Sequence, residues 1–360
     1  MKGKLFLGVV FIFFFVNKLW GNDIDIWGSL KTEIGVVSVL NNDYYYLGKE
    51  CLRINFSTSR ESEGKVEGSF DFSLIKGQYL GFVNFNTNSI YLGDDTFLIF
   101  DVRKLILSVD FGIMDVIIGR QFMNFGYGIG FSPIEFFDRV DIMDVNFSKI
   151  GVDGVRFKFP FSDTGNIDFV FIPKALITNS QVAFRSVGSL FGFEFGGVVG
   201  YFGDEGYIRG GFAFKGDLEV GLYAEISYNL QLPREKEYFE FMFGCDYSFY
   251  DKILLRLEYY YNSFEESYHN LQYFRRYPFL SKDYVFLQVS YILDMFNKFN
   301  LSYIRNLEKG SWIVFLGFWN EFAQNVGLGL DFRFIHSDIS GLSVSENRIL
   351  YISFVLEVKF

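Results

Sequence analysis

Cysteine, histidine and proline are scarce in this chain, at 2, 2 and 5 of 360 residues. Two cysteines exclude a disulfide-built scaffold. Cys51 and Cys245 lie far apart, each inside a strand-like run, and read as unpaired. The histidines, His269 and His336, fall in different connections without metal-ligand spacing, so no metal and no cofactor are expected. His336, Ser337 and Asp338 are neighbours in sequence, whereas a catalytic triad converges from separated positions. No catalytic residue is assigned, and the chain does not read as an enzyme. Few prolines leave long strands uninterrupted. Beyond residue 21 there is no apolar run of about 18 residues, which excludes a helical membrane protein. Basic residues are in deficit, 33 against 43 acidic, for a net charge of −10, and this argues against nucleic acid as a partner. No helical stripe, domain linker or low-complexity tract interrupts the sequence.

What is abundant is aromatic: 48 Phe and 23 Tyr, with 36 Gly. A soluble protein of this length would have to bury most of those rings, whereas a transmembrane barrel turns them toward lipid. Residues 1–21 read as a secretory signal peptide. Lys2 and Lys4 precede an uncharged run at 5–16 that is too short for a spanning helix of about 20 residues. Removing that leader leaves 30 basic and 43 acidic residues in 22–360, a net −13. Such a balance suits a lumen or surface that favours cations.

The remainder alternates with period two, the mark of strands with one apolar face. At 65–74, Val66, Gly68, Phe70, Phe72 and Leu74 oppose Lys65, Glu67, Ser69, Asp71 and Ser73. The same pattern places strands at 27–37, 50–59, 65–74, 81–86, 97–109, 116–121, 154–159, 167–172, 191–202, 207–214, 218–230, 238–249, 253–261, 284–293, 299–306, 311–319, 326–335 and 347–360. Residues 22–360 are therefore expected to form one all-β, transmembrane antiparallel barrel of about 18 strands, with 16 the next choice because such barrels have even numbers. The longer connections are 41–48, 122–151, 173–189, 231–237, 262–283 and 337–346. Counting back from the C-terminus puts 231–237, 262–283 and 337–346 on one side and 122–151 and 173–189 on the side of short turns. A further strand near 179–187 would move 122–151 to the long-loop side, and loss of 81–86 would hold the total at 18.

The last strand carries Ile352, Phe354, Leu356, Val358 and Phe360 on one face and Tyr351, Ser353, Val355, Glu357 and Lys359 on the other. A long amphipathic strand finishing on Phe360 resembles the closing strand of bacterial outer-membrane barrels. The resemblance implies that Phe360, Val358 and Leu356 form an end read by barrel-assembly machinery. A second local signature lies at 119–137, GRQFMNFGYGIGFSPIEFF. Gly119, Arg120, Gln121, Phe125, Gly126, Pro133, Glu135 and Phe136 resemble a pattern in porin-like families, including the alginate-export type. It differs from them in having Phe125 where Trp is usual. Gly126, Gly128 and Gly130 leave one side of the backbone bare, suited to lying tight against a barrel wall. No helix follows these glycines, so a phosphate site is not expected. Two readings of 122–151 stay open, an exposed surface loop with solvated charges and a constriction or partial plug. For the second, Arg120, Glu135, Asp138, Arg139, Asp141 and Asp144 are the candidate residues, because crossed acids and bases in a narrow lumen select by charge.

The functional expectation is an outer-membrane channel for passive diffusion of small hydrophilic solutes, preferring cations, with membrane lipid, assembly machinery and small solutes as partners. One alternative is a surface-exposed barrel whose loops 262–283 and 337–346 bind an external ligand or act as an adhesin. Others are a barrel enzyme and a transporter of hydrophobic compounds. Against the last, the faces opposite the Phe rows carry Lys, Glu, Asp, Ser and Arg.

Overall fold

The computed structural model describes residues 24–39, 43–58, 64–77, 89–137, 139–140, 149–232, 237–263, 282–308, 310–337 and 347–360. Eighteen strands form the wall. They are β1 (Ile24–Val39), β2 (Asp43–Thr58), β3 (Gly64–Gly77), β4 (Thr96–Asp110), β5 (Asp115–Gln121), β6 (Val152–Pro160), β7 (Asn166–Ile172), β8 (Gln181–Leu190) and β9 (Phe193–Phe202). They continue with β10 (Tyr207–Asp217), β11 (Gly221–Gln231), β12 (Glu237–Phe249), β13 (Ile253–Asn262), β14 (Asp283–Ile292), β15 (Asn297–Asn306), β16 (Trp312–Ala323), β17 (Val326–Ser337) and β18 (Asn347–Lys359). Each pairs antiparallel with its sequence neighbours, and β1 pairs with β18 from Ser29 opposite Lys359 to Val39 opposite Ile349. The amides and carbonyls of Gly28 and Phe360 exchange two further bonds, 2.9 and 3.0 Å. The sheet closes on itself through β1 and β18, which removes the two terminal edges.

The two faces differ in residue type. On β11, Tyr223, Glu225, Ser227 and Asn229 are buried while Ile226 and Tyr228 stand exposed. On β18, Tyr351, Ser353 and Val355 are buried inward, and Phe354, Leu356, Val358 and Phe360 are exposed outward. The outer face is apolar, whereas the inner face is mixed: it carries buried charged and polar groups together with apolar residues such as Val37, Ile304, Ile313 and Phe315. An apolar outer face around charged inner groups is the arrangement that a lipid exterior and an aqueous lumen both favour. Turns on one side are tight. Phe191 and Gly192 (φ 55° and 82°), and Tyr250 and Asp251 (φ 50° and 55°), take the left-handed conformations that two-residue hairpins require.

Three expectations change. Residues 173–189 are not one connection, because β8 occupies Gln181–Leu190 after a single 3₁₀ turn at Ile177–Asn179. The expected strand at 81–86 lies outside the described residues. Residues 41–48 are also not a loop of that length, since β2 begins at Asp43. With β8 counted, 122–151 falls on the long-loop side, opposite the chain ends. The signal-peptide expectation for 1–21 lies outside the described residues.

Candidate functional site

The wall is uneven where it matters. β1 and β2 have 16 residues each, whereas β5 and β7 have seven. A spanning strand needs about 9–11. β5 therefore leaves the wall at Gln121 before reaching the rim, and the upper part of β4 loses its neighbour on that side. A short strand, Ser89–Gly93, pairs with Thr96–Ile99 there. Lower down, the Arg120 guanidinium donates to the Val102 carbonyl oxygen (3.0 Å) and to Asp153 (2.8 Å), tying β4 to β6 across the seam.

From Gln121 the chain turns into the barrel. Met123, Phe125, Phe131, Ile134, Phe136 and Phe137 are all buried. Phe131 stacks on Tyr260 of β13 with ring centroids 4.9 Å apart, and Phe136 and Phe137 pack on Phe202 of β9 at 5.5 and 5.2 Å. These partners are inward-facing wall residues, and Met123 and Phe125 cluster with Val170, Ile172 and Ala183, so the segment lies against the inner face from β7 to β14.

Irregular backbone at membrane depth is tolerated only where its amides find acceptors. Two wall carboxylates supply them. Glu225 of β11 accepts from the amides of Tyr127, Gly128 (2.9 Å) and Ile134 (3.4 Å) and from the Ser132 hydroxyl (2.6 Å). Glu258 of β13 accepts from the amides of Ile129 (2.8 Å), Gly130 (2.9 Å) and Phe131 (3.2 Å) and from the Tyr223 hydroxyl (3.0 Å). Their exposures are 2% and 0%. Among the described residues, neither forms an ion pair. The glycines make this approach feasible. A Cβ on Gly126 would stand 1.9 Å from the Ser132 hydroxyl oxygen, and one on Gly128 1.8 Å from the Phe131 carbonyl oxygen. One on Gly130 would stand 2.6 Å from the Phe286 ring.

The candidate residues read from the sequence go to different places. Glu135 is buried inside the turned-in segment. It accepts from the Phe125 amide (3.2 Å) and pairs with Lys149 at 2.8 Å. Arg120 is engaged by the wall rather than by Glu135. Arg139 belongs to a two-residue pairing, Arg139–Val140 with Lys149–Ile150. Asp138, Asp141 and Asp144 lie outside the described residues. Sequence reasoning missed Glu225 and Glu258. Each is an acid on the polar face of a strand beside an inward Tyr, which is also how an ordinary lumen-lining carboxylate looks.

Other inner charges are matched across strands. Asp71 pairs with Arg53 (2.7 Å) and Arg103 (3.6 Å), Asp168 with Arg156 (2.7 Å) and Arg185 (3.4 Å), and Glu33 with Arg333 (3.4 Å). Cys51 and Cys245 are free. No group of His, Cys, Asp and Glu among the described residues is arranged to hold a metal ion.

The fold these strands define is a closed 18-strand antiparallel barrel with one segment folded inside it. Solved structures share it. OccK7 (OpdD) of Pseudomonas aeruginosa superposes with a TM-score of 0.61 at 10% identity, covering 94% of this chain and 99% of that one. OccAB4 of Acinetobacter baumannii gives 0.60 at 7%, covering 94% and 98%. OpdK of Pseudomonas aeruginosa, solved with vanillate and elsewhere described as an outer membrane protein, gives 0.59 at 9%, covering 94% and 98%. No protein-family model and no curated protein matches the sequence.

Proposed function

We propose that the chain is an outer-membrane channel through which small hydrophilic solutes diffuse passively. The observation that carries this reading is a closed wall whose outer face is apolar while its charged groups, among them Glu33, Asp71, Asp168, Glu225 and Glu258, stand on the inner face. Water fills such an interior, and solutes cross without any covalent step. The inward segment is the constriction of this channel, setting the size of what passes. The resemblance of Gly119, Arg120, Gln121, Phe125, Gly126, Pro133, Glu135 and Phe136 to a pattern of porin-like families supports a channel, and no polyanionic cargo is proposed. Phe360, Val358 and Leu356 serve as the end that assembly machinery engages, and the short-turn side faces the periplasm. Purified protein added to a planar bilayer should give discrete conductance steps; its absence from the conducting fraction, with the barrel folded, would end this reading.

The channel prefers cations. The net −13 of residues 22–360 supports this, as do Asp138, Asp141 and Asp144 in the same connection. Glu135 contributes little to that field, because Lys149 sits on it. The reversal potential in a salt gradient measures the preference directly.

A further inference from the structure

We propose that the inward segment is an electrostatic shield as well as a constriction: it takes the carboxylates of Glu225 and Glu258 out of the water path, so the channel is less cation-selective with the segment in place than without it. The inference rests on the channel reading above and specifies what sets its ion preference.

Three observations lead here. Glu225 and Glu258 are inward-facing wall carboxylates that meet six backbone amides and two hydroxyls from the surrounding residues. Amide dipoles pointed at a carboxylate oppose its field in the direction they come from. That direction is the lumen, because the segment lies between these strands and the axis.

Second, the covering stretch 126–134, GYGIGFSPI, has no charged residue. The shield hides negative charge and adds none. The acid beside it, Glu135, carries its own cation in Lys149.

Third, the cation nearest Glu258 along its strand already has partners. Arg256, two residues from Glu258 on the same face, donates to Gln288 (2.9 Å) and stands 3.8 Å from Asp246. Lys215 lies 6.0 Å from the Tyr127 ring, opposite Glu194 in the β9–β10 register. Neither Glu225 nor Glu258 forms an ion pair among the described residues, so uncovering them presents new negative charge to water and not a pre-formed salt bridge.

The excursion begins and ends at one place, since the Phe125 amide bonds to the Glu135 side chain. Residues 126–134 are thus replaceable by a Gly-Gly bridge with Glu135 and Lys149 retained. The formal charge is unchanged, so any change in selectivity reports uncovering and not loss of charge. Potassium chloride gradients near 0.1 M are suitable, where the screening length is about 10 Å.

Wild-type protein that conducts keeps the channel reading; wild-type protein that does not conduct overturns that reading, whatever the variant does. Given conduction, the bridged variant should show larger single-channel steps and a cation-to-anion permeability ratio raised by about twofold or more. Adding Glu225→Gln and Glu258→Gln to it should keep the large steps and remove the gain in selectivity. Larger steps with an unchanged or lower ratio would overturn the shield. If the bridged variant does not assemble, Glu225→Gln and Glu258→Gln are made singly in the full chain. A shielded carboxylate then leaves the ratio at or above the wild-type value, whereas a fall in the ratio at unchanged conductance shows that it already faces water and overturns the proposal.

Discussion

At Phe360 the apolar exterior and the closing hydrogen bonds meet in one residue. Its backbone exchanges two bonds with Gly28, and its ring lies where a Cβ on Gly28 would come within 2.8 Å. Tyr351 covers Gly35 in the same way, at 2.4 Å, while its hydroxyl donates to Glu33 (2.8 Å). An aromatic ring over a cross-strand glycine compensates the glycine's missing side chain and pins register. Gly35→Val should displace Tyr351 and cost about 1–3 kcal/mol, the usual range for overpacking. A lower temperature for loss of heat-modifiable migration would report it, and an unchanged temperature would show that the ring has room to move. Phe360→Asp and Phe360→Ala test the terminal end. A carboxylate near the interface costs at most about 1 kcal/mol through lipid contact alone. A several-fold loss of folded barrel in both variants therefore points to the ring itself, and normal assembly of both would remove Phe360 from that role.

At the scale of elements, the inward segment depends on three glycines whose missing side chains face different neighbours. Gly128 is the least forgiving, since its added Cβ meets the Phe131 carbonyl oxygen, a backbone atom that no rotamer change can move. Gly128→Val should lift the segment from Glu225 and Glu258, giving larger or noisier conductance steps from a barrel that still assembles. Gly197→Ala, with nothing within 4 Å, is the silent control. Conductance of Gly128→Val matching the wild type would mean that the segment does not limit flow. The bareness of Gly126, Gly128 and Gly130 is legible in the sequence, and so is the period-two alternation of most strands. The carboxylates that hold the segment are not legible, because their partners are amides nearly a hundred residues or more away in sequence and amides carry no residue identity. β8 is hard to read for a different reason. Its outward positions include Ser186 and Gly188, so the apolar row that announces other strands is broken.

For the whole molecule, strand parity decides what each side chain touches, and the free cysteines report it. Cys51 on β2 lies opposite Lys31 and Ser73, on the face shared with Arg53 and Asp71. Cys245 on β12 lies opposite Leu222 and Leu257, on the face shared with Phe243. β2 stands halfway round the ring from β11, the strand that anchors the inward segment through Glu225. The described part of the segment lies against β7 to β14, so the water path is expected along β1 to β4, past Cys51. In a bilayer, a charged, membrane-impermeant thiol reagent should modify Cys51 in the Cys245→Ser variant and leave Cys245 untouched in the Cys51→Ser variant. A lipid-soluble maleimide should reach Cys245. Modification of Cys51 should also reduce the current, because the added group projects into the open half of the lumen. Reaction at Cys245 from water would place that face in the lumen and invert the assigned parity. Modification of Cys51 without any change in current would leave the faces as assigned and move the conducting path away from β1 to β4, so labelling extent and current are measured on the same channels.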